Sequence, residues 1–156
     1  MKSLITLCLV LLLPASVWAK SVNSQCMKEL HPMIGVSGEA PDSRTVVPMM
    51  SVLRSLGANP IYIDQTKGRD PSDDLPQLHG LIIAGNSGDI DPERYGAPSV
   101  HPETNIEKNT NRAEYEYRAV ELALKRKLPL LGICGGMQRI TTSGSESVRG
   151  TLIQHT

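Results

Sequence analysis

Cys134 lies in the stretch Gly132-Ile133-Cys134-Gly135-Gly136. This is the G-x-nucleophile-x-G spacing of an elbow in which a strand ends, the chain turns sharply and a helix starts. A thiol in that position can do covalent chemistry on a carbonyl, attacking as thiolate to give a thioester. The flanking glycines keep side chains clear of the neighbouring strand and helix, and the following helix N-terminus favours the thiolate. The N–H of Gly135 can point at the oxygen of an attacked carbonyl. One donor rarely suffices, and Gly85-Asn86-Ser87-Gly88 ends another apolar run in the right place to supply a second. The alternative is a structural cysteine buried on a glycine bend.

A thiol near its ordinary pKa of about 8.5 is only a few per cent thiolate at neutral pH, so a base is normally required. The candidates are sparse. His155 and Glu146 follow the elbow, and His155 sits beside the terminus. His31, His79 and His101 fall at strand entries and in a loop, and read as surface or packing residues. Asp89 and Asp91 precede Gly- and Pro-type turn positions, so turn chemistry explains them better than substrate contact. No His/Cys/Asp/Glu cluster has metal-ligand spacing, and neither metal nor cofactor is expected.

The elements that must hold these groups follow from periodicity. Residues 33–36 (MIGV), 60–64 (PIYID), 80–85 (GLIIAG) and 128–133 (LPLLGI) read as buried strands, and 151–154 (TLIQ) as a last one. Met49, Val52, Leu53 and Leu56 share one helix face, beginning near Val46 or Val47 because Pro48 suits only a first turn. A second helix opens with Asn111 and Glu114 as a capping box, carries the stripe Ala113, Tyr117, Val120 and Leu124, and adds Glu114–Arg118 and Glu121–Lys125 pairs. Residues 66–77 read as a polar linker and 86–105 as a long loop. Residues 137–140 begin a short helix that the Ser/Gly-rich stretch 141–147 ends. Strands alternating with helices predict an α/β fold with an open, mostly parallel sheet under helices on both faces.

The 156 residues carry 16 basic and 16 acidic side chains, with 3% aromatics and no Phe. Balanced charge and few rings give no reason to expect a nucleic-acid partner. Residues 1–19 have the layout of a secretory signal peptide: Lys2, an apolar run over 5–13 and Val17-Trp18-Ala19 before Lys20. The run is too short to span a bilayer. Residues 20–32 read as a flexible lead-in and 33–156 as one domain, exported to the periplasm or secreted, with no membrane association after cleavage. Cys8 leaves with the signal, and Cys26 could pair with Cys134 in an oxidising compartment.

Together these motifs resemble the class I glutamine amidotransferase-like superfamily, and within it the gamma-glutamyl-gamma-aminobutyrate hydrolase family, peptidase C26. The elbow PLLGICGGMQ, the strand and loop GLIIAGNSGDIDPERYG, the helix NRAEYEYRAVELALKRKLPLLGIC and the segment GTLIQH carry the likeness. It implies the flavodoxin-like amidotransferase fold and hydrolysis of gamma-glutamyl amide bonds of a small compound. It implies Cys134 as nucleophile, amides of Gly85, Asn86 and Gly135 as the oxyanion hole, and Ser87, Gly88 and Gln138 near the substrate. An oligomer is allowed. Gly135 stands where the family often has Arg, and residues 141–150 replace a shorter connection, so the elbow helix is expected to be short. The family's catalytic His-x-Glu lies beyond Thr156, which implies a domain incomplete at its C-terminus and impaired hydrolysis. Two alternatives stay open: a catalytically dead fragment or small-molecule binder, and a DJ-1-like thiol redox protein pairing Cys134 with Glu39 or Cys26.

Overall fold

The computed structural model describes residues 31–65, 68–145 and 149–154. The chain divides into Met1–His31 and Pro32–Thr156, and of the first only His31 is described. The signal segment, Cys8, Cys26, Glu146 and His155 lie outside the described residues. Among those described, no helix is long and apolar enough to cross a membrane.

Four strands form one sheet: β1 (Met33–Ser37), β2 (Asn59–Tyr62), β3 (Gly80–Ile83) and β4 (Leu130–Gly132). Their order is β2-β1-β3-β4 and every pairing is parallel. Val36 lies opposite Tyr62 on one side and Ile82 on the other, and Ile83 lies opposite Gly132. β3 is buried throughout, which is why its sequence is continuously apolar rather than alternating.

Helices cover both faces, as the alternation predicts. On one face Leu81 and Ile83 pack with Ile63, Leu75 and Leu78 against Tyr115, Ala119, Val120 and Ala123 of α3 (Thr110–Arg126). On the other, Val36, Ile82 and Ala84 pack with Val46, Met49 and Leu53 of α1 (Val46–Ser55). Each fully buried aliphatic of this kind contributes about 1.5–3 kcal/mol. α1 begins at Val46, with Pro48 in its first turn, and ends where Gly57 and Ala58 N–H groups bond the carbonyls of Arg54 and Leu53.

Several expectations fail in detail. The linker read over 66–77 contains a short helix, α2 (Pro71–Asp74), capped by the Asp70 carboxylate, and a 3₁₀ turn, Leu75–Gln77. The long loop carries a 3₁₀ turn at Pro92–Tyr95, whose Tyr95 packs with Ile90 and Tyr117. Asn109, not Asn111, caps α3, accepting from Arg112 N–H. The buried face of α3 is wider than the expected stripe: Tyr117 and Val120 are buried as expected, Arg112, Tyr115, Glu116, Ala119 and Ala123 are buried as well, and Leu124 is exposed. Arg118 pairs with Asp70, the cap of α2, rather than with Glu114. Residues 151–154 form no strand; Gln154 instead binds the loop, donating to Ser99 O and accepting from His101 N–H.

Candidate active site

At the C-terminal edge of the sheet, β4 turns into α4 (Gly135–Thr141) through Cys134. Cys134 has φ 53° and ψ −118°, a backbone conformation rare for a residue with a side chain. Such geometry costs roughly 1–3 kcal/mol and persists only where its surroundings enforce it. Here α4 is driven hard against the sheet: a Cβ at Gly136 would stand 2.0 Å from Ile83 O, and one at Gly132 2.6 Å from the Gly136 carbonyl. The thiol is free and exposed, not packed among aliphatic groups.

The third strand delivers its glycine turn to the same place. A Cβ on Gly85 would lie 3.3 Å from Cys134 Cβ and 3.8 Å from its Sγ. The Asn86 amide nitrogen lies 3.2 Å from the place of a Gly135 Cβ. Among the described residues the amides of Gly85, Asn86 and Gly135 have no acceptor, so no sheet partner occupies them. The Ser87 amide is different, because it donates to Glu39 Oε1 at 2.6 Å.

Other side chains fill in the surroundings. Asn86 lays its carboxamide across Gly135, with Nδ2 donating to Gly88 O at 2.5 Å and Oδ1 buried without a partner. The absence of a side chain at Gly135 is thus what gives Asn86 its room. Gly88 fits tightly against Glu107 and, with Ser87 and Glu39, lines a polar cleft of about 320 Å³. Gln138 is half-buried on α4, its N–H bonded to Cys134 O. On the other side of Cys134 runs an apolar groove of about 600 Å³, lined by Met49, Val52, Leu56, Leu131 and Ile133 among others.

Glu39 is bonded by Ser87 and does not line the Cys134 groove. Its Oε1 accepts from both the amide and the hydroxyl of Ser87, each at 2.6 Å. The Ser87 hydroxyl bond, opposed by burial and helped by the Ser87 amide and the Arg112 charge, holds its carboxyl below the usual range. Asp91 does turn chemistry, accepting from Glu93 N–H, whereas Asp89 accepts from Asn105 N–H across the loop rather than within a turn. His79 Nδ1 accepts from Met33 N–H and His101 Nδ1 from Glu103 N–H, and neither lines the Cys134 groove.

Periodicity also missed a charged cluster beneath the site. Arg112, Glu116 and Arg139 are 0–1% exposed. Arg112 Nε donates to Glu116 Oε1 at 2.9 Å, Arg139 Nε lies 2.6 Å from Glu116 Oε2, and Arg139 Nη2 donates to Glu107 Oε2 at 2.5 Å. The signal was present: Arg112 and Glu116 share the i, i+3, i+4, i+7 face with Tyr115, Ala119 and Ala123.

The chain is 38% identical over 81 residues to a Mycobacterium tuberculosis protein assigned as a glutamine amidotransferase, covering 52% of this chain and 24% of that one. It is 25% identical over 80 residues to the gamma-glutamyl-gamma-aminobutyrate hydrolase PuuD of Escherichia coli, covering 51% and 30%. A crystal structure of a Thermotoga maritima glutamine amidotransferase overlays 71% of this chain and 42% of its own, at 20% identity and a TM-score of 0.49. The chain spans about a quarter to a third of the length of these curated relatives. The family model for Peptidase C26 matches residues 32–156, the whole of the described sheet, glycine turn and elbow, and the chain belongs to that family.

Proposed function

We propose that Cys134 accepts the acyl group of a small gamma-glutamyl amide. This is the first half of both amide hydrolysis and amide-nitrogen transfer. The thiolate attacks the γ-carbonyl carbon, a C–S bond forms, and the carbonyl electrons pass to oxygen. The amide of Gly135 and those of the Gly85-Asn86 turn donate to that oxyanion. The oxyanion electrons then return to re-form the carbonyl, the C–N bond breaks, and the amine leaves with a proton taken from solvent water. Water attacks the thioester, the C–S bond breaks, and the γ-carboxylate and the thiolate are released while the water's two protons return to solvent. Ser87 donates its hydroxyl proton to Glu39, so toward a substrate it is left to act as an acceptor. Gly88 of the polar cleft and Gln138, one turn along the elbow helix from Cys134, are assigned to the substrate's side of the site.

The single observation that carries this reading is an exposed thiol on a left-handed elbow, against a turn whose amides have no acceptor among the described residues. The names of the relatives supply the substrate class. The test is acylation by the γ-p-nitrophenyl ester of glutamate, whose leaving group needs no proton, beside the matching p-nitroanilide, which does. An acyl adduct confined to Cys134 is expected, with the ester reacting far faster than the anilide. No adduct, or an equal one on Cys134→Ala, sinks the reading.

One observation favours a second reading, a binder without turnover: among the described residues no histidine lines the groove. A γ-glutamyl compound that binds without acylating Cys134, from ester or anilide, would identify that case.

A further inference from the structure

The carbonyl oxygens of Ala84 and Gly85 both accept from Nη2 of Arg112, at 3.0 and 3.2 Å. The peptide unit is planar, and no cis bond occurs here. A carbonyl turned toward Arg112 therefore sends the N–H of the next residue the opposite way. The amides so directed are those of Gly85 and Asn86, the two that stand against the elbow.

Arg112 is itself held from several elements. Glu116 Oε1 takes its Nε proton and also that of Ser37 Oγ at 2.5 Å, and Ser37 Oγ accepts from Gln65 Nε2 at 2.7 Å. Glu116 Oε2 faces Arg139 of α4, and Arg139 reaches on to Glu107, whose other oxygen lies 3.8 Å from Arg112 Nη1. One buried network thus joins β1, α3, the glycine turn and the helix behind the nucleophile. Stability alone does not account for it, since well-packed apolar residues often replace a buried ion-pair network without loss. What an apolar residue cannot do is donate to two carbonyls.

We infer that Arg112 is a positioning residue: through the Ala84 and Gly85 carbonyls it sets the direction of the Gly85 and Asn86 amides beside Cys134, and Glu116 and Arg139 lock that setting to the elbow helix. The catalytic use of those amides rests on the acyl-acceptor reading above, but their orientation does not.

The test is a double variant, Arg112→Met with Glu116→Leu, which removes both buried charges together. In the folded variant the amide resonances of Gly85 and Asn86 shift and broaden while those of β1 and β3 stay in place. Acylation by the γ-glutamyl p-nitrophenyl ester falls about 100-fold in kcat, the cost of a lost oxyanion donor, with KM within about threefold. Alkylation of Cys134 by iodoacetamide, which forms no oxyanion, stays within about twofold. Arg112→Lys keeps the charge beside Glu116 but has no fork, and it gives the same pattern at about a tenth of the loss. Unchanged Gly85 and Asn86 signals overturn the inference, as does alkylation falling in step with acylation. If the double variant does not fold, Arg112→Lys decides on the same signals. If the wild-type chain shows no acylation at all, the functional reading fails while the amide resonances still settle the role of Arg112.

Discussion

Gly135 and Gly136 are adjacent in sequence and sit in the same first turn of α4, yet alanine at the two positions should act oppositely. At Gly136 the new Cβ would stand 2.0 Å from Ile83 O, 2.6 Å from Ile83 C and 3.1 Å from Ala84 O. All three are backbone atoms at or just past the C-terminal end of the buried β3, so relief requires α4 to move off the sheet by about 1 Å. Overpacking of that kind costs about 1–3 kcal/mol, and it outweighs the roughly 0.5–1 kcal/mol that Ala gains over Gly in a helix. At Gly135 the nominal clash is worse, 1.3 Å, but it is with Asn86 Oδ1, the end of a side chain that can turn away. That movement gives up the bond from Asn86 Nδ2 to Gly88 O, worth about 1 kcal/mol, and lets water reach an oxygen that had no partner. The helix gain then leaves Gly135→Ala near neutral. Urea unfolding followed by circular dichroism reads both. With an m-value of about 2 kcal/mol/M, Gly136→Ala should lower the midpoint by roughly 0.5–1 M and Gly135→Ala by little. Iodoacetamide should report a displaced Cys134 in the first variant only. A Gly136→Ala protein as stable as the wild type, or a Gly135→Ala protein less stable than it, would refute the reasoning.

Three further predictions follow from the contacts around the site. Glu39 is stabilised as a carboxylate by Ser87, so its folded value lies below the ordinary 4.5. Its contribution to stability is therefore present above the carboxylate range and lost as pH falls through the lowered value. The Ser87 amide resonance should titrate below pH 4.5, and Glu39→Gln should speed exchange of that amide roughly tenfold, as expected for losing a charge-assisted hydrogen bond. Tyr115 donates to Asp74 Oδ2 at 2.7 Å, and burial first, then that bond, raises its phenol. A raised folded value gives stability that is whole below about pH 10 and lost above it. Tyr115→Phe should cost about 1–2 kcal/mol near neutrality, as the loss of a bond to a charged acceptor does, and flatten the alkaline decline of the urea midpoint. If residues 1–19 direct export, intact mass of the secreted or periplasmic product should begin at Lys20; a full-length product retained in the cytoplasm would remove that assignment.

The sequence by itself determined the alternation of strands and helices, the elbow and the glycine turn after the third strand. Those features are local: a continuous apolar run, a glycine spacing or a proline restricts the chain wherever it occurs. The strands at residues 80–85 and 128–133, and the helix start at Val46, were legible for that reason. The tertiary structure decided what apolarity could not announce. Helical spacing aligns Arg112 and Glu116 with the buried face of α3 but names no partners for them; Arg139 and Glu107 arrive from other segments to complete the cluster. Residues 151–154 look like a strand, yet Gln154 is taken up by the loop at Ser99 and His101. Glu39 takes Ser87 as a partner, a pairing of residues 48 positions apart. A charge stays buried, and a polar group chooses its partner, according to which segments the fold brings together, and one-dimensional patterning carries no record of that.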